Sequence, residues 1–242
     1  MLRTMQQPQK EARDANGLAR QLFERALAID SDDADASAGN AWTYLLDYFF
    51  KWGDPGANYE VEVLGEANRA IGLDPNNVRA YFVKAQYLNM SRRPGEALGA
   101  AEAGLAVNPN YVLLYMPRAM ADNSLGRFEE AKSDVERALR LSPRDPSAAV
   151  FRDISGISEV GLGHFDAAIA EFRKAIDLGQ PVYFVYANLA GAYALAGKMD
   201  EAQAALAEAR RLNPVITVKW MKEHGRTPAI IDGLRKAGLP EE

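Results

Sequence analysis

The sequence predicts an all-α fold in which antiparallel helix hairpins stack into a solenoid, an α-α superhelix. The first observation behind this prediction is a pattern of small and apolar residues that returns after 34 residues or slightly more. Within each copy these residues recur at steps of three and four, which is the periodicity of a helix. Because one hairpin cannot bury its apolar face alone, the copies are expected to stack on one another.

The repeat is anchored by a mostly small residue near the start of the second helix of each copy. The anchors are Ala19, Val63, Ala97, Ala131, Ala168 and Ala202. The intervals between them are 44, 34, 34, 37 and 34 residues. A phenylalanine or an aliphatic residue follows most anchors by four, and proline ends the best copies, because proline cannot continue a helix.

The first half of each copy repeats as well. A glycine precedes the anchor at Gly95, Gly126, Gly163 and Gly197, where a helix end that needs positive φ favours it. Twelve residues before the anchors stand the small residues Ala85, Ala119, Gly156 and Ala190. Small residues at a fixed helix position let two helices approach closely, so each copy predicts a tight hairpin.

These residues resemble the tetratricopeptide repeat (TPR), a 34-residue pair of helices called A and B. The resemblance covers nearly the whole chain, and Val63 departs from the small residue of the pattern. It implies a single solenoid domain over residues 1–242. In that register a lone B-type helix covers 9–29, and hairpins follow at 34–77, 78–111, 112–145, 146–182 and 183–216.

The last segment, 217–242, is expected to close the stack with C-terminal capping helices. Thr227 reads as an N-cap, Pro228 as the first helical residue and Gly238 as the stop. Two further features depart from a regular solenoid. The first helix A is expected to run on through Trp52, and Pro117 is expected to kink the third helix A from within.

Composition excludes several classes of function. The chain has no Cys and two His, which excludes a disulfide framework, a thiol nucleophile and a His-rich metal site. The net charge of −5 argues against nucleic-acid binding, which needs a surplus of Lys and Arg. The polar N-terminus lacks the apolar core of a secretion signal. We therefore expect a cytoplasmic protein that is not an enzyme, has no cofactor or metal, and does not insert into membranes.

The resemblance implies that function lies on the concave face, which helix A lines in this family. The groove positions, taken by register, are Trp42, Arg79, Phe82, Gln86, Asn89, Leu113, Met116, Met120, Asn123, Asp153, Ile157 and Phe184. Most are apolar, and flexible Met side chains suit adaptable binding of apolar peptides. The positions predict a groove that binds a peptide or helix of a partner protein. Simple internal packing of the same side chains stays open as an alternative.

A narrower resemblance concerns the two ends of the chain. Residues 9–30, the long first helix A and residues 231–241 are similar to the C-terminal TPR domain of bacterial regulators that carry a class III nucleotide cyclase or a winged-helix domain. This resemblance implies the regulatory part of a larger bacterial protein. An alternative function follows from it, which is self-assembly into a dimer that brings fused effector domains together.

Overall fold

The computed structural model describes residues 2–179 and 182–242, with side chains from Lys10 onward. In these residues all regular secondary structure is helical. The chain divides into two compact units, the first ending at Leu114 and the second running from Tyr115 to Glu242. No helix in the described part of the chain is long and apolar enough to cross a membrane.

The first unit is built from helices joined by short turns. Its α-helices are α1 (Leu2–Ile29), α2 (Ala34–Phe50), α3 (Gly65–Leu73), α4 (Val78–Met90) and α5 (Pro94–Val107). A π-helical turn, Glu60–Leu64, leads directly into α3, and a 3₁₀ turn, Val112–Leu114, ends the unit. Helices α2 and α3 form one hairpin, and α4 and α5 form the next.

Helix α1 is longer than the predicted 9–29 and packs along α2. A Cβ added at Gly39 would lie 2.4 Å from the ring of Phe23, so the glycine makes room for that ring. Beside it, the amide of Asn16 donates to Asp47 Oδ1 at 2.8 Å and to the Thr43 carbonyl at 3.0 Å. One face of α1 is thereby fixed to α2 by a buried polar contact and a close aromatic contact.

The predicted extension of the first helix A through Trp52 is wrong. Helix α2 ends at Phe50, because Lys51 adopts a left-handed conformation with φ 55° and closes the helix by donating its N–H to the Asp47 carbonyl. Trp52 then stacks on Phe50 at 4.5 Å between ring centroids. The extra residues of this copy form the loop after α2 and the π-helical turn before α3.

The second unit continues the alternation of helices. Its α-helices are α6 (Tyr115–Ser124), α7 (Phe128–Leu141), α8 (Ala148–Gly161), α9 (Phe165–Asp177), α10 (Tyr183–Leu195), α11 (Met199–Leu212), α12 (Val218–Glu223) and α13 (Pro228–Lys236). The hairpins are α6–α7, α8–α9 and α10–α11. Helix α13 starts after Thr227 with Pro228 in its first turn, and Gly238 follows it with φ +93°, as the sequence pattern indicates.

The turns inside the hairpins use left-handed backbone. Gly126, Gly163 and Gly197 have φ of +77°, +79° and +77°, as predicted. The prediction for Gly95 is wrong, since that residue lies in the first turn of α5. The positive φ of that turn, +62°, belongs to Arg92, which stands 34 residues before Gly126.

The predicted kink at Pro117 is also wrong. Helix α6 begins at Tyr115, which places Pro117 in its first turn, where a backbone N–H has no partner within the helix. Proline is tolerated there because it removes no helical hydrogen bond. The 3₁₀ turn Val112–Leu114 precedes the α-helix and completes the segment.

Small residues at the predicted hairpin positions are fully buried. Ala85, Ala119 and Ala190 are inaccessible to solvent. At the corresponding position in α8, a Cβ added at Gly156 would lie 2.4 Å from the ring of Phe172 on α9, a ring that is itself fully buried. The hairpin cores thus depend on small side chains on helix A facing larger side chains on helix B.

Candidate functional site

The predicted groove residues of the first unit lie on α2, α4 and the 3₁₀ turn. Trp42 and Phe82 are in contact, with ring centroids 5.6 Å apart and planes tilted by 34°. Phe82 is buried, at 6% exposed, whereas Trp42 keeps part of its indole at the surface. Arg79 is exposed. The partly buried members of the set are Gln86, Asn89 and Leu113.

The predicted groove residues of the second unit lie on α6, α8 and α10. Met116, Asn123 and Asp153 are buried. The partly exposed members of the set are Met120, Ile157 and Phe184. The helix-A face therefore mixes side chains that pack inside the chain with side chains that reach the surface.

Asn123 links α6 to α8. Its amide donates to the Ile154 carbonyl at 3.1 Å, and its Oδ1 accepts from Ser158 Oγ at 2.9 Å. Both contacts are buried, so they satisfy polar groups that would otherwise lose their hydrogen bonds to water. Asn123 thus positions one helix A against the next.

Asp153 lies in a buried polar cluster between α8 and α10. Its carboxylate accepts a hydrogen bond from Asn188 Nδ2 at 2.9 Å. Burial raises the pKa of Asp153, and the nearby Arg226 guanidinium and the Asn188 hydrogen bond counter only part of this rise. A carboxyl group held this way is suited to a structural contact more than to proton transfer, because solvent does not reach it.

Arg226 is a residue that the repeat pattern did not single out. It stands between α12 and α13, and its guanidinium lies over the ring of Phe184 at 5.3 Å from the centroid. Tyr183 packs edge-on against Phe184 and against Trp220 of α12. The start of α10 is therefore covered by side chains from the C-terminal segment.

Helix α13 covers a further part of the helix-A face of α10. It packs against α10 and also contacts α8, both of which are A helices. At the crossing point a Cβ on Gly233 would lie 2.3 Å from the carbonyl oxygen of Gly191, so the two backbones touch. Gly191 follows the predicted groove residue Phe184 by seven positions, so both lie on one face of α10. The sequence carried one signal of this contact, namely a glycine in the middle of each helix.

The two histidines have structural contacts. His164 Nδ1 lies 2.9 Å from Glu159 Oε2, and Lys132 Nζ lies 2.8 Å from the other oxygen of Glu159. Burial acts to raise the pKa of Glu159, but the hydrogen bonds from Lys132 and His164 outweigh it and hold the pKa below its ordinary value. His224 stacks on the Trp220 indole at 3.5 Å between centroids.

The described residues hold no group of three or more His, Asp or Glu side chains that could bind a metal ion. The expectation that the chain is not an enzyme stays a prediction.

Comparison with known families confirms the repeat. Residues 114–145 and residues 155–215 each match a family model described as tetratricopeptide repeat. Tetratricopeptide repeats are therefore present in this chain. No curated protein sequence matches it significantly.

Solved structures agree on the fold. A chain of the APC/C hetero-tetramer Cut9-Hcn1 is similar with a TM-score of 0.74 and 16% identity, over 93% of this chain and 40% of that one. TTC0263, a thermophilic TPR protein of Thermus thermophilus, has a TM-score of 0.61 and 23% identity, over 74% of this chain and 92% of that one. YrrB, a TPR protein with an unusual peptide-binding site, has a TM-score of 0.53 and 20% identity, over 81% and 95%.

These similarities confirm the predicted fold class, an all-α solenoid of TPR type. At such low identities they carry the fold alone. This chain spans 40% of the length of its match in the Cut9-Hcn1 assembly.

Proposed function

We propose that this chain is a protein-interaction module that binds an extended or helical segment of a partner protein on the helix-A faces of its repeats. The observation that supports the proposal is the surface of α10 and α8 on which α13 packs, called here the seat of α13. The helix-A face of α10 holds a short helix through apolar side chains and a close backbone contact. A face that accepts one helix of this kind has the shape and chemistry to accept another.

The contact residues of the proposal are the groove members that reach the surface. Arg79 is exposed, and the partly exposed members are Trp42, Gln86, Asn89, Leu113, Met120, Ile157 and Phe184. The buried members Phe82, Met116, Asn123 and Asp153 support this layer from beneath and make little direct contact with a partner. We therefore propose that a partner contacts the exposed and partly exposed members of the predicted groove.

The chemistry of these residues favours an apolar segment with some polar backbone or amide groups. A half-exposed indole such as that of Trp42 supplies a large rigid contact, and a few such anchors usually carry most of the binding energy. Met120 adds an adaptable thioether. YrrB, a similar TPR protein with an unusual peptide-binding site, supports a peptide as the class of ligand.

The test compares two matched charge reversals in capture of partners from a bacterial lysate, read by mass spectrometry. Arg79→Glu changes the helix-A face, and Arg137→Glu makes the same change on the exposed surface of α7, a B helix. We expect the first to lose a specific captured protein and the second to retain it. Met120→Glu tests the helix-A face of the second unit in the same way. Retention of the same partners by all variants would contradict the proposal.

Self-assembly is a second candidate function, and α1 carries the observation that favours it. Leu18, Leu22 and Ile29 are 59%, 54% and 89% exposed, and their spacing of four and seven residues puts them on one helix face. The opposite face of α1 packs on α2. Exposed apolar stripes of this kind mark interaction sites. An antiparallel pairing of two α1 helices about this stripe would place the exposed Asp14 of one copy opposite the exposed Arg25 of the other.

Light scattering tests this assembly, because the protomer has a mass of 26.5 kDa and a dimer twice that. Leu18→Glu with Leu22→Glu should yield the protomer mass, while Glu24→Gln on the same helix should leave the dimer intact. Asp14→Arg should weaken the dimer, and Asp14→Arg with Arg25→Asp should restore it. A protomer mass for the unmodified chain would refute self-assembly.

The proposal extends to a regulatory role in the cytoplasm of a bacterium. The resemblance to the TPR domains of cyclase and winged-helix regulators supports it. A dimer formed through α1 would bring fused effector domains together, and a groove partner would then control that contact.

A further inference from the structure

Helix α13 packs on α10 through one apolar side, as an amphipathic helix of a partner protein would. It is amphipathic: Ile230, Ile231 and Leu234 are buried, whereas Arg235 and Lys236 are exposed. Its buried side faces α10 and α8. These are successive A helices, so α13 lies across the helix-A face.

The register of this contact is fixed by two glycines. A Cβ on Gly233 would collide with the Gly191 carbonyl, and a Cβ on Gly191 would lie 3.1 Å from the Ile230 carbonyl oxygen. At position 233 only a residue without a side chain lets the two backbones meet at this distance, while at position 191 a Cβ would be tight. The seat therefore selects a helix with glycine at the crossing point and large aliphatic residues three before, two before and one after it.

Helix α13 depends on this seat for its own structure. It has nine residues, and isolated helices of that length are unstable in water. The connection before it contains Gly225 with φ +81°, and helix α12 has only six residues. Two backbone hydrogen bonds, from Val218 to Pro240 and from Lys219 to Glu241, join the segment after α13 to α12. We expect α13 to leave its seat together with this terminal segment while the hairpins beneath stay folded.

Two features of the seat favour its release. Arg226 Nε and Asn188 Oδ1 are buried without a hydrogen-bond partner among the described residues, and a buried polar group without a partner costs free energy. An open cleft of about 610 Å³ runs beside α13 and is lined by Val160, Leu195 and Lys236, among others. Solvent and an incoming segment therefore have access to one flank of the helix.

We propose that the α8–α10 face is a helix-docking site, that α13 is its intramolecular occupant, and that a partner helix with the same glycine-centred aliphatic pattern displaces α13. This inference deepens the proposed function and rests on it for the existence of a partner. It adds the chemistry of the partner and a switch, since the part of the face around Gly191 is closed while α13 is seated.

The test uses the full chain and a probe made from its own sequence. The probe is a fluorescein-labelled peptide of residues 227–242, followed by fluorescence anisotropy. Gly233→Leu in the chain should unseat α13 without changing the face, because leucine favours helix but cannot fit at the crossing. Lys236→Leu is the matched control, since it adds the same side chain on the exposed side of α13.

We expect the Gly233→Leu chain to bind the probe at least tenfold more tightly than the unmodified chain or the Lys236→Leu chain. A probe that itself carries Gly233→Leu should bind none of them, and Gly191→Leu added to the Gly233→Leu chain should abolish binding. Equal binding to all chains, or no binding by a Gly233→Leu chain that keeps its helicity, would overturn the inference. A dimer mass for the Gly233→Leu chain without probe binding would also overturn it, because a second copy of the chain would then occupy the face.

A second measurement covers the case in which Gly233→Leu loses the fold. Hydrogen exchange of the unmodified chain with excess unlabelled peptide should deprotect the amides of α13 while those of α10 stay protected. Unchanged protection of α13 would overturn the inference. The probe assay needs no external partner, so its failure and a failure of the lysate capture are separate results.

Discussion

The hairpin cores predict opposite effects for one substitution made at two glycines. Gly156 lies in α8 and Gly99 lies in α5, both inside helices. A Cβ at Gly156 would lie 2.4 Å from the ring of Phe172, whereas a Cβ at Gly99 would meet nothing within 4 Å. Alanine should therefore destabilise the fold at the first position and stabilise it at the second.

The magnitudes follow from the geometry. Replacing a helical glycine by alanine gains about 0.8–1 kcal/mol, and this is the whole effect expected for Gly99→Ala. At Gly156 the same gain is opposed by an overlap of more than about 1 Å with a ring carbon, given an optimal carbon–carbon distance near 3.5–4.0 Å. Phe172 is fully buried, so its ring has to shift within a packed core and overpacking should cost about 1–3 kcal/mol. The two variants should differ in stability by this packing cost.

Urea unfolding followed by far-UV circular dichroism measures the difference. A double-mutant cycle with Phe172→Leu then isolates the contact, because the smaller side chain removes the clash. The combined variant should be more stable than the sum of the single effects by about 1 kcal/mol. Equal stabilisation by Gly156→Ala and Gly99→Ala, or a coupling energy near zero, would refute the reasoning.

Three further predictions concern a turn, a buried acid and the anchoring of α1. Gly126→Ala should destabilise the fold by about 1 kcal/mol in the same urea assay, because its φ is +77°. Burial raises the pKa of Asp122 to about 6, so the folded state binds the proton more tightly than the unfolded state and stability falls as pH rises from about 4 to 6. Asp122→Asn should reduce this pH dependence, with the contribution of Asp153 remaining, and stabilise the chain by about 1 kcal/mol at pH 7, as checked by thermal unfolding across that range. Asn16→Ala should cost about 1–3 kcal/mol by removing the 2.8 Å hydrogen bond to Asp47 Oδ1, while Oδ2 keeps its ion pair with Arg20, and hydrogen exchange should show the loss as faster exchange along α1.

The fold was predictable because its determinants are local and repeated. A period of 34 residues and the glycines at 126, 163 and 197 predicted the hairpins and the left-handed turns that the structure has. The exceptions arose where a less common residue took over a local role. Arg92 adopts the conformation expected of glycine, and Lys51 ends α2 before Trp52. The pattern of apolar residues predicts neither the left-handed conformation of Arg92 nor that of Lys51.

For the candidate site, the sequence predicts only which side chains share the helix-A face. Register on a helix specifies which side chains share a face, and it does not specify what covers that face. Phe82 and Met116 illustrate the limit, since they have groove positions by register and are 6% and 8% exposed. Trp42 and Met120 share the same register and keep accessible surface. The difference comes from neighbours that are distant in sequence.

The seat of α13 is the clearest case of such a distant determinant. Gly191 is 42 positions before Gly233, and the helical period of either segment predicts only that each has an apolar face. The sequence signal for this contact is a glycine inside each of the two helices. Such a glycine lowers helix stability by about 1 kcal/mol relative to alanine, so it needs another explanation. The contact between the two backbones explains both glycines, Gly191 in α10 and Gly233 in α13. The same contact ties helix formation in α13 to occupancy of the α10 face, so a competitor for that face would also decide whether the last helix of the chain exists.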